Sequence, residues 1–303
     1  MTGQRNVAAS VRARLTDRAR ANKENVQLIL TRYAIERLLY RLSRSPHRDR
    51  FVLKGAMLFS LWAPVPYRAT GDLDLLGFGR NDAVDLTDTF RDICAIDVAE
   101  DGVQFLAETV KAEPVREDEE YQGIRVTVVA LIAGARISVQ IDIGFGDAVT
   151  PAPQEIEYPT LLDFPAPRLR AYPPETVVAE KFQAVVELGM LNSRMKDFYD
   201  LWAISTTFGF DGAVLAAAIQ ATFARRATAL PEGTPVALTS AFATTPAKQS
   251  QWQGFIRRTA IAMEPDSFAA VLDKVEAFVM PPTRAVRAGT PFLLRWLPGG
   301  PWG

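Results

Sequence analysis

Asp72-Leu-Asp-Leu-Leu76 alternates carboxylate and leucine, the period-two pattern of a strand with one apolar face. Side chains at i and i+2 of a strand share a face, so Asp72 and Asp74 project together while Leu73 and Leu75 project into a core. Two carboxylates held that close raise each other's pKa, a cost that a bound divalent cation removes by supplying counter-charge. Oxygen-only ligands suit magnesium, which takes one or two protein carboxylates and fills its shell with water and phosphate oxygens. An isolated D-x-D also occurs as a plain strand end with exposed acids, so its surroundings decide.

Working outward, Phe51-Val-Leu-Lys54 reads as a short buried strand running into Gly55, and residues 56–62 as a helix stopped before Pro64 and Pro66. Gly123–Ile132 and Ala135–Phe145 are β-rich runs joined across Gly134, the pattern of a hairpin. In the second run Ile137, Val139, Ile141 and Ile143 alternate with Ser138, Gln140 and Asp142, which puts Asp142 on the polar face. It offers a third active-site carboxylate, or else a solvent-facing strand acid. Upstream, Val26, Ile29, Leu30, Tyr33, Leu38 and Leu42 give an amphipathic helix over 23–43, ended by Pro46.

Thr150–Pro174 holds seven prolines and reads as a connection between lobes. Beyond it the patterns are helical, over 175–191, 194–206, 211–226, 248–263 and 265–279. The expectation is an α+β chain: a first lobe, 1–160, with a mixed β-sheet flanked by helices, then a helical lobe, 161–303. The tail 281–303 is rich in Pro, Gly and Arg but carries Phe292, Leu293, Leu294, Trp296 and Trp302, so it is expected to dock.

The helical half adds Glu180-Lys181 and Lys196-Asp197-Phe-Tyr-Asp200, with Lys196 and Asp200 at i,i+4 and Asp197 and Asp200 at i,i+3. Surface ion pairing is the simpler reading, but these charges flank an apolar and aromatic face of Phe182, Phe198, Tyr199 and Trp202. His47, the only histidine, shows no triad partners, and neither a Walker loop nor GxGxxG is present. The lone Cys94 excludes a disulfide framework and a multi-cysteine zinc site and fits a reducing cytoplasm. The sequence has neither the apolar stretch of a signal peptide nor a run long enough to span a membrane. Residues 1–54 hold 13 Lys or Arg against 4 Asp or Glu, and the remainder 21 against 31. The basic segment, with Arg5, Arg12, Arg14, Arg18 and Arg20, suits a nucleic acid backbone or is a solvated face.

Five pieces in order, Phe51-Val-Leu-Lys-Gly55, Arg68-Ala-Thr-Gly-Asp72-Leu-Asp74-Leu, Asp142-Ile-Gly-Phe-Gly-Asp147, Glu175-Thr-Val-Val-Ala-Glu-Lys181 and Asn192-Ser-Arg-Met-Lys-Asp-Phe-Tyr-Asp-Leu201, resemble the AbiEii/MenT nucleotidyltransferase-type toxins. The resemblance implies a polymerase-β-like fold and a toxin of a bacterial toxin–antitoxin pair that moves a nucleoside monophosphate from an NTP to RNA. For close relatives the acceptor is the 3′ end of tRNA, which would block translation. Asp72 and Asp74 match the metal pair for two Mg²⁺, Asp142 the third acid, Gly55 the phosphate-side turn and Lys181 the family's essential lysine. Lys196, Asp197 and Asp200 match its last charged motif. Lys181, Asp197 and Asp200 are thus expected in catalysis with Asp72 and Asp74, and Gly55, Thr70, Lys181 and Lys196 in nucleotide binding.

Ala56 departs from the Gly or Ser usual after the turn glycine, which removes a hydroxyl donor beside the phosphates. Thr70, two residues before Asp72, is an expected target for a phosphorylating antitoxin, the alternative being a loop-end hydroxyl bonded to the backbone. Two rival classes stay open: a nucleotidyltransferase acting on a protein or small molecule, and a catalytically silent RNA- or partner-binding module.

Overall fold

The computed structural model describes residues 6–63, 67–68, 70–115 and 123–303; Arg5, Pro64, Pro66 and the alanine at 69 lie outside them. The chain groups into two units, Met1–Pro64 with Thr70–Gly146 and Gln154–Ala171, and Val65–Ala69 with Asp147–Pro153 and Tyr172–Gly303.

The first unit contains α1 (Val7–Asn22), α2 (Val26–Arg44), β1 (Phe51–Lys54), α3 (Phe59–Trp62), β2 (Asp72–Gly77), α4 (Ala83–Cys94), β3 (Gln104–Val115), β4 (Gly123–Ile132), β5 (Ala135–Phe145), β6 (Gln154–Glu157) and β7 (Arg168–Ala171). Its strands form one sheet in the order β3-β4-β5-β2-β1-β7-β6. The sheet is mixed: β2 runs parallel to β5 and β1 to β7, and the other pairs are antiparallel. Alternation sets the register of the β4–β5 hairpin, burying Ile124, Val126, Val128, Ala130 and Ile132 on one strand and Ile137, Val139, Ile141 and Ile143 on the other. Its two-residue turn has φ 46° at Ala133 and 79° at Gly134, the doubly left-handed geometry whose twist matches paired strands.

Helix α2 packs on β5 and β7, and α4 on β3. Asn25 starts α2 by accepting the Leu28 N–H at 3.2 Å, and the helix stops at Arg44 because Ser45, preceding Pro46, takes an extended conformation. α1 buries Val11, Leu15 and Ala19. Three arginines of the basic segment hold it down: Arg12 donates to the Ala133 carbonyl at 2.9 Å, Arg18 to the Leu161 carbonyl at 2.6 Å, and Arg14 pairs with Asp163 at 2.7 Å.

Two expectations change. The proline-rich stretch 150–174 is more than a connection, because its proline-free pieces 154–157 and 168–171 pair with each other and extend the sheet beside β1. Its prolines at 159, 165 and 167 fall in the loop between them, where no ladder hydrogen bond is lost.

The second unit contains α5 (Pro174–Leu188), α6 (Met195–Thr207), β8 (Phe210–Asp211), α7 (Gly212–Arg225), α8 (Ser240–Thr244), α9 (Pro246–Arg258), α10 (Phe268–Ala288) and β9 (Arg295–Trp296). The last long helix does not end before Pro281 but runs through Pro281 and Pro282 to Ala288. Pro282 has no N–H for the Phe278 carbonyl four residues back. The Trp302 indole N–H donates to that oxygen at 3.0 Å, and the Thr283 hydroxyl to the Val279 carbonyl at 2.6 Å. The tail docks as expected, with the Trp302 ring stacked on Phe278 at 6.0 Å. Phe198, Phe242, Phe268 and Trp252 form an aromatic core under α6, α8, α9 and α10. Among the described residues no helix is long and apolar enough to cross a membrane.

Candidate active site

Strand β2 places Asp72 exposed and Asp74 half-buried on one face, with Leu73 and Leu75 buried on the other. In the parallel ladder Asp74 stands directly beside Asp142 of β5, and in the antiparallel one beside Lys54 of β1. Asp142 in turn faces Arg125 of β4. One row across four strands therefore reads Arg125, Asp142, Asp74, Lys54: a cation, two carboxylates and a cation. At the usual strand spacing it is about 14 Å long. Lys54 and Arg125 did not figure among the candidate residues, although both follow from pairing register.

The turn after β1 closes over this row. Gly55 has φ +74°, and a Cβ there would come within 2.6 Å of the Asp74 Cγ and nearer still to its Oδ2. Only glycine lets the backbone approach the carboxylate this closely while keeping a left-handed conformation. Ala56 is buried. Thr70 precedes the strand, and its Oγ1 lies 3.5 Å from the Asp72 N–H, a long contact of the loop-end kind.

Among the described residues no group of three or more His, Cys, Asp or Glu side chains is gathered to hold a metal ion. Asp72 and Asp74 nevertheless fit magnesium by donor type, since two carboxylates on one face of a strand are what this ion takes from a protein. Asp142 fits less well. Arg125 Nε donates to its Oδ1 at 2.7 Å and Arg125 Nη2 to its Oδ2 at 3.0 Å, with Gln140 Nε2 3.2 Å from Oδ2.

The second unit gathers the other candidates. Lys181, on α5, lies 2.5 Å from Asp197 Oδ1 and 2.9 Å from Asp200 Oδ2, both on α6. Arg68 forks onto the same Asp200, Nε to Oδ1 at 2.7 Å and Nη2 to Oδ2 at 2.8 Å. The Asp200 side chain is fully buried and that of Lys181 14% exposed. Burial would raise the Asp200 pKa, but Arg68 and Lys181 outweigh it and hold the carboxyl below its ordinary range. Burial likewise opposes the Lys181 charge, and Asp197 and Asp200 overcome it, so the ammonium titrates above the usual lysine range.

The i,i+4 pairing of Lys196 with Asp200 does not form. Asp200 points inward to Arg68 and Lys181, while Lys196 is exposed and, among the described residues, makes no ion pair. Arg68 was missed as a candidate, and no sequence signal links it to a carboxylate 132 residues away. Its neighbour is fixed as well: the Tyr199 hydroxyl and the Ala262 N–H reach the Tyr67 carbonyl at 3.0 and 2.8 Å.

Solved structures with this architecture include two from Helicobacter pylori, a protein provisionally described as a nucleotidyltransferase and JHP933. The first aligns with TM-score 0.51 and 13% identity over 88% of this chain and 100% of its own. The second gives 0.50 and 13% over 88% and 95%. At that identity they support the fold: a mixed sheet flanked by helices and followed by a helical region. No curated protein sequence matches the chain. The family model for the nucleotidyl transferase AbiEii toxin of type IV toxin–antitoxin systems matches residues 37–274, well over half the chain, and the protein belongs to that family.

Proposed function

We propose that this protein is a magnesium-dependent toxin that transfers a nucleoside monophosphate from an NTP to RNA, with the 3′ end of tRNA as acceptor and a block of translation as the outcome in the cytoplasm. The observation that carries the reading is the Asp72–Asp74 pair on one face of β2, with the Gly55 turn pressed against Asp74. In the reaction the acceptor hydroxyl oxygen bonds to the α-phosphorus, the bond from that phosphorus to the β-phosphate bridge breaks, and pyrophosphate leaves with the hydroxyl proton released. Magnesium on Asp72 and Asp74 would neutralise phosphate charge and lower the pKa of the hydroxyl.

The chain's own part is positioning. Gly55 lets its backbone come close to the triphosphate, and Thr70 borders the same strand. Lys196, an exposed cation, is suited to phosphate contact, and Lys181 with Asp197 and Asp200 forms the charged cluster on which catalysis depends. The family implies an antitoxin partner. Phosphorylation of the partly exposed Thr70 would add about −1.5 to −2 charges two residues from Asp72 and repel the nucleotide. Intact-mass analysis of the co-expressed pair checks this: added phosphate is expected on wild type and absent from Thr70→Val.

Because Arg12, Arg14 and Arg18 hold α1 in place, the basic segment is weaker support for an RNA acceptor than its charge suggests, and a protein or small-molecule acceptor is the second reading. One assay decides. The protein is incubated with each α-labelled NTP, Mg²⁺ and either total RNA or cell protein. Label in the tRNA band, lost with EDTA, is the expected result. Label only in protein transfers the reading to the second class, and no label in any fraction leaves the binding module.

A further inference from the structure

We infer that Asp142 is a positioning residue for Arg125 and not a third metal ligand, and that Arg125 is a cation aimed at the polyphosphate of the nucleotide. The inference rests on the reading of Asp72 and Asp74 given above and deepens it.

The contact between the two is a fork: Nε to Oδ1 at 2.7 Å and Nη2 to Oδ2 at 3.0 Å, so each carboxylate oxygen receives its own donor. This is the strongest class of side-chain hydrogen bond, and its planar geometry fixes the direction of the guanidinium. Gln140 supports it from two residues along the strand, with its Nε2 3.2 Å from Oδ2. The fork also neutralises the charge that would make Asp142 attractive to a dication. A metal on Asp142 would face the guanidinium across a few ångströms, like charge against like.

The pair stands directly across from Asp74 in the ladder, so Arg125 occupies the outer end of the charged row. The Arg125 side chain is 35% exposed and that of Asp142 29%, so the pair is within reach of a ligand arriving from solvent. A site that must accept a polyanion beside two carboxylates needs fixed cations at its margin, and a guanidinium has five donors in a plane matched to phosphate oxygens. Asp142 holds such a group in one orientation before the nucleotide arrives, which lowers the entropy lost on binding.

The test separates metal affinity from nucleotide affinity in the full chain. Mn²⁺ binding is followed by electron paramagnetic resonance, and binding of an α,β-methylene NTP analogue by calorimetry. The variants are Asp74→Asn, Asp142→Asn, Arg125→Ala, Arg125→Lys and the double variant Asp142→Asn/Arg125→Ala, with thermal unfolding to confirm folding. Asp142→Asn, nearly isosteric, is expected to keep Mn²⁺ affinity within about twofold while Asp74→Asn loses about tenfold or more. Arg125→Ala and Asp142→Asn should each weaken the analogue about tenfold, a charged hydrogen bond's worth. Arg125→Lys should recover part of this loss, and the double variant should be no worse than Arg125→Ala alone. If Asp142→Asn loses Mn²⁺ as Asp74→Asn does, Asp142 is a third ligand and the inference is overturned. If Arg125→Ala leaves analogue affinity unchanged, it is overturned at the nucleotide end. If Asp74→Asn itself keeps full Mn²⁺ affinity, the metal reading beneath the inference fails, and the inference with it.

Discussion

Asp72→Ala and Asp74→Ala are each expected to lower the rate of nucleotidyl transfer by about a thousandfold or more, the scale of removing a charge-stabilising group from an active site. Stability should hardly move. Asp72 is exposed, and surface substitutions of this kind stay within about 0.5 kcal/mol. Asp74 stands between Asp142 and Lys54 in the row, so losing it removes one repulsive and one attractive neighbour together. Gly55→Ala provides the steric counterpart: the new Cβ would collide with the Asp74 carboxylate at φ +74°, displacing the same group without changing its charge. Single-turnover rates with thermal unfolding on the same samples check all three variants. Wild-type rates in both aspartate variants would sink the assignment of the pair.

Lys181→Ala should fail in two ways at once. Removing it leaves Asp197 and the fully buried Asp200 short of one cation, and breaking a buried pair in this way costs about 3–5 kcal/mol. The loss should depend on pH with a definite sign. In the wild type Asp200 is held below its ordinary range, so its contribution is complete above that range and fades only as pH falls through the depressed value. Lys181 titrates above its ordinary range, so its contribution is complete below that ordinary range and is lost as pH rises through the raised value. Between the two ranges the wild-type advantage is flat. In Lys181→Ala the buried Asp200 keeps Arg68 but loses its second cation, so it protonates more readily in acid, and the deficit should shrink as pH falls toward the carboxylate range. Urea unfolding at a series of pH values measures this directly.

A rate comparison with Lys196→Ala completes the test. That variant should keep full stability and lose less rate than Lys181→Ala, because Lys196 is exposed. Asp197→Asn added to Lys181→Ala should recover part of the stability. If transfer returns with it, the lysine serves only to hold the fold.

The strand pattern was legible to the residue at several points. Phe51–Lys54, Gly123–Ile132 and Ala135–Phe145 form the expected strands, because strict alternation and a two-residue turn leave no freedom of register. The fork between Arg125 and Asp142 was legible too, though unread. Counting seven residues back from Ile132 and seven forward from Ala135 in the hairpin brings those two side chains together. β3 escaped because a register shift between Leu106 and Lys111 breaks its alternation; α4 buries Leu86, Thr89, Phe90, Ile93 and Cys94 at regular helical spacing and was legible. β6 and β7 are four-residue strands hidden among prolines. Lys181, Asp197 and Asp200 were singled out as charges flanking an aromatic face, but the Arg68–Asp200 fork depends on tertiary packing of segments far apart in sequence, and pattern alone carries no trace of it.

The indole that serves the Phe278 carbonyl, left without a helical donor by Pro282, ties Trp302 to the middle of the helix that packs on α6 and α7. The hydrogen bonding of α10 is thus completed by a residue outside the helix, and its own sequence does not suffice to satisfy its backbone.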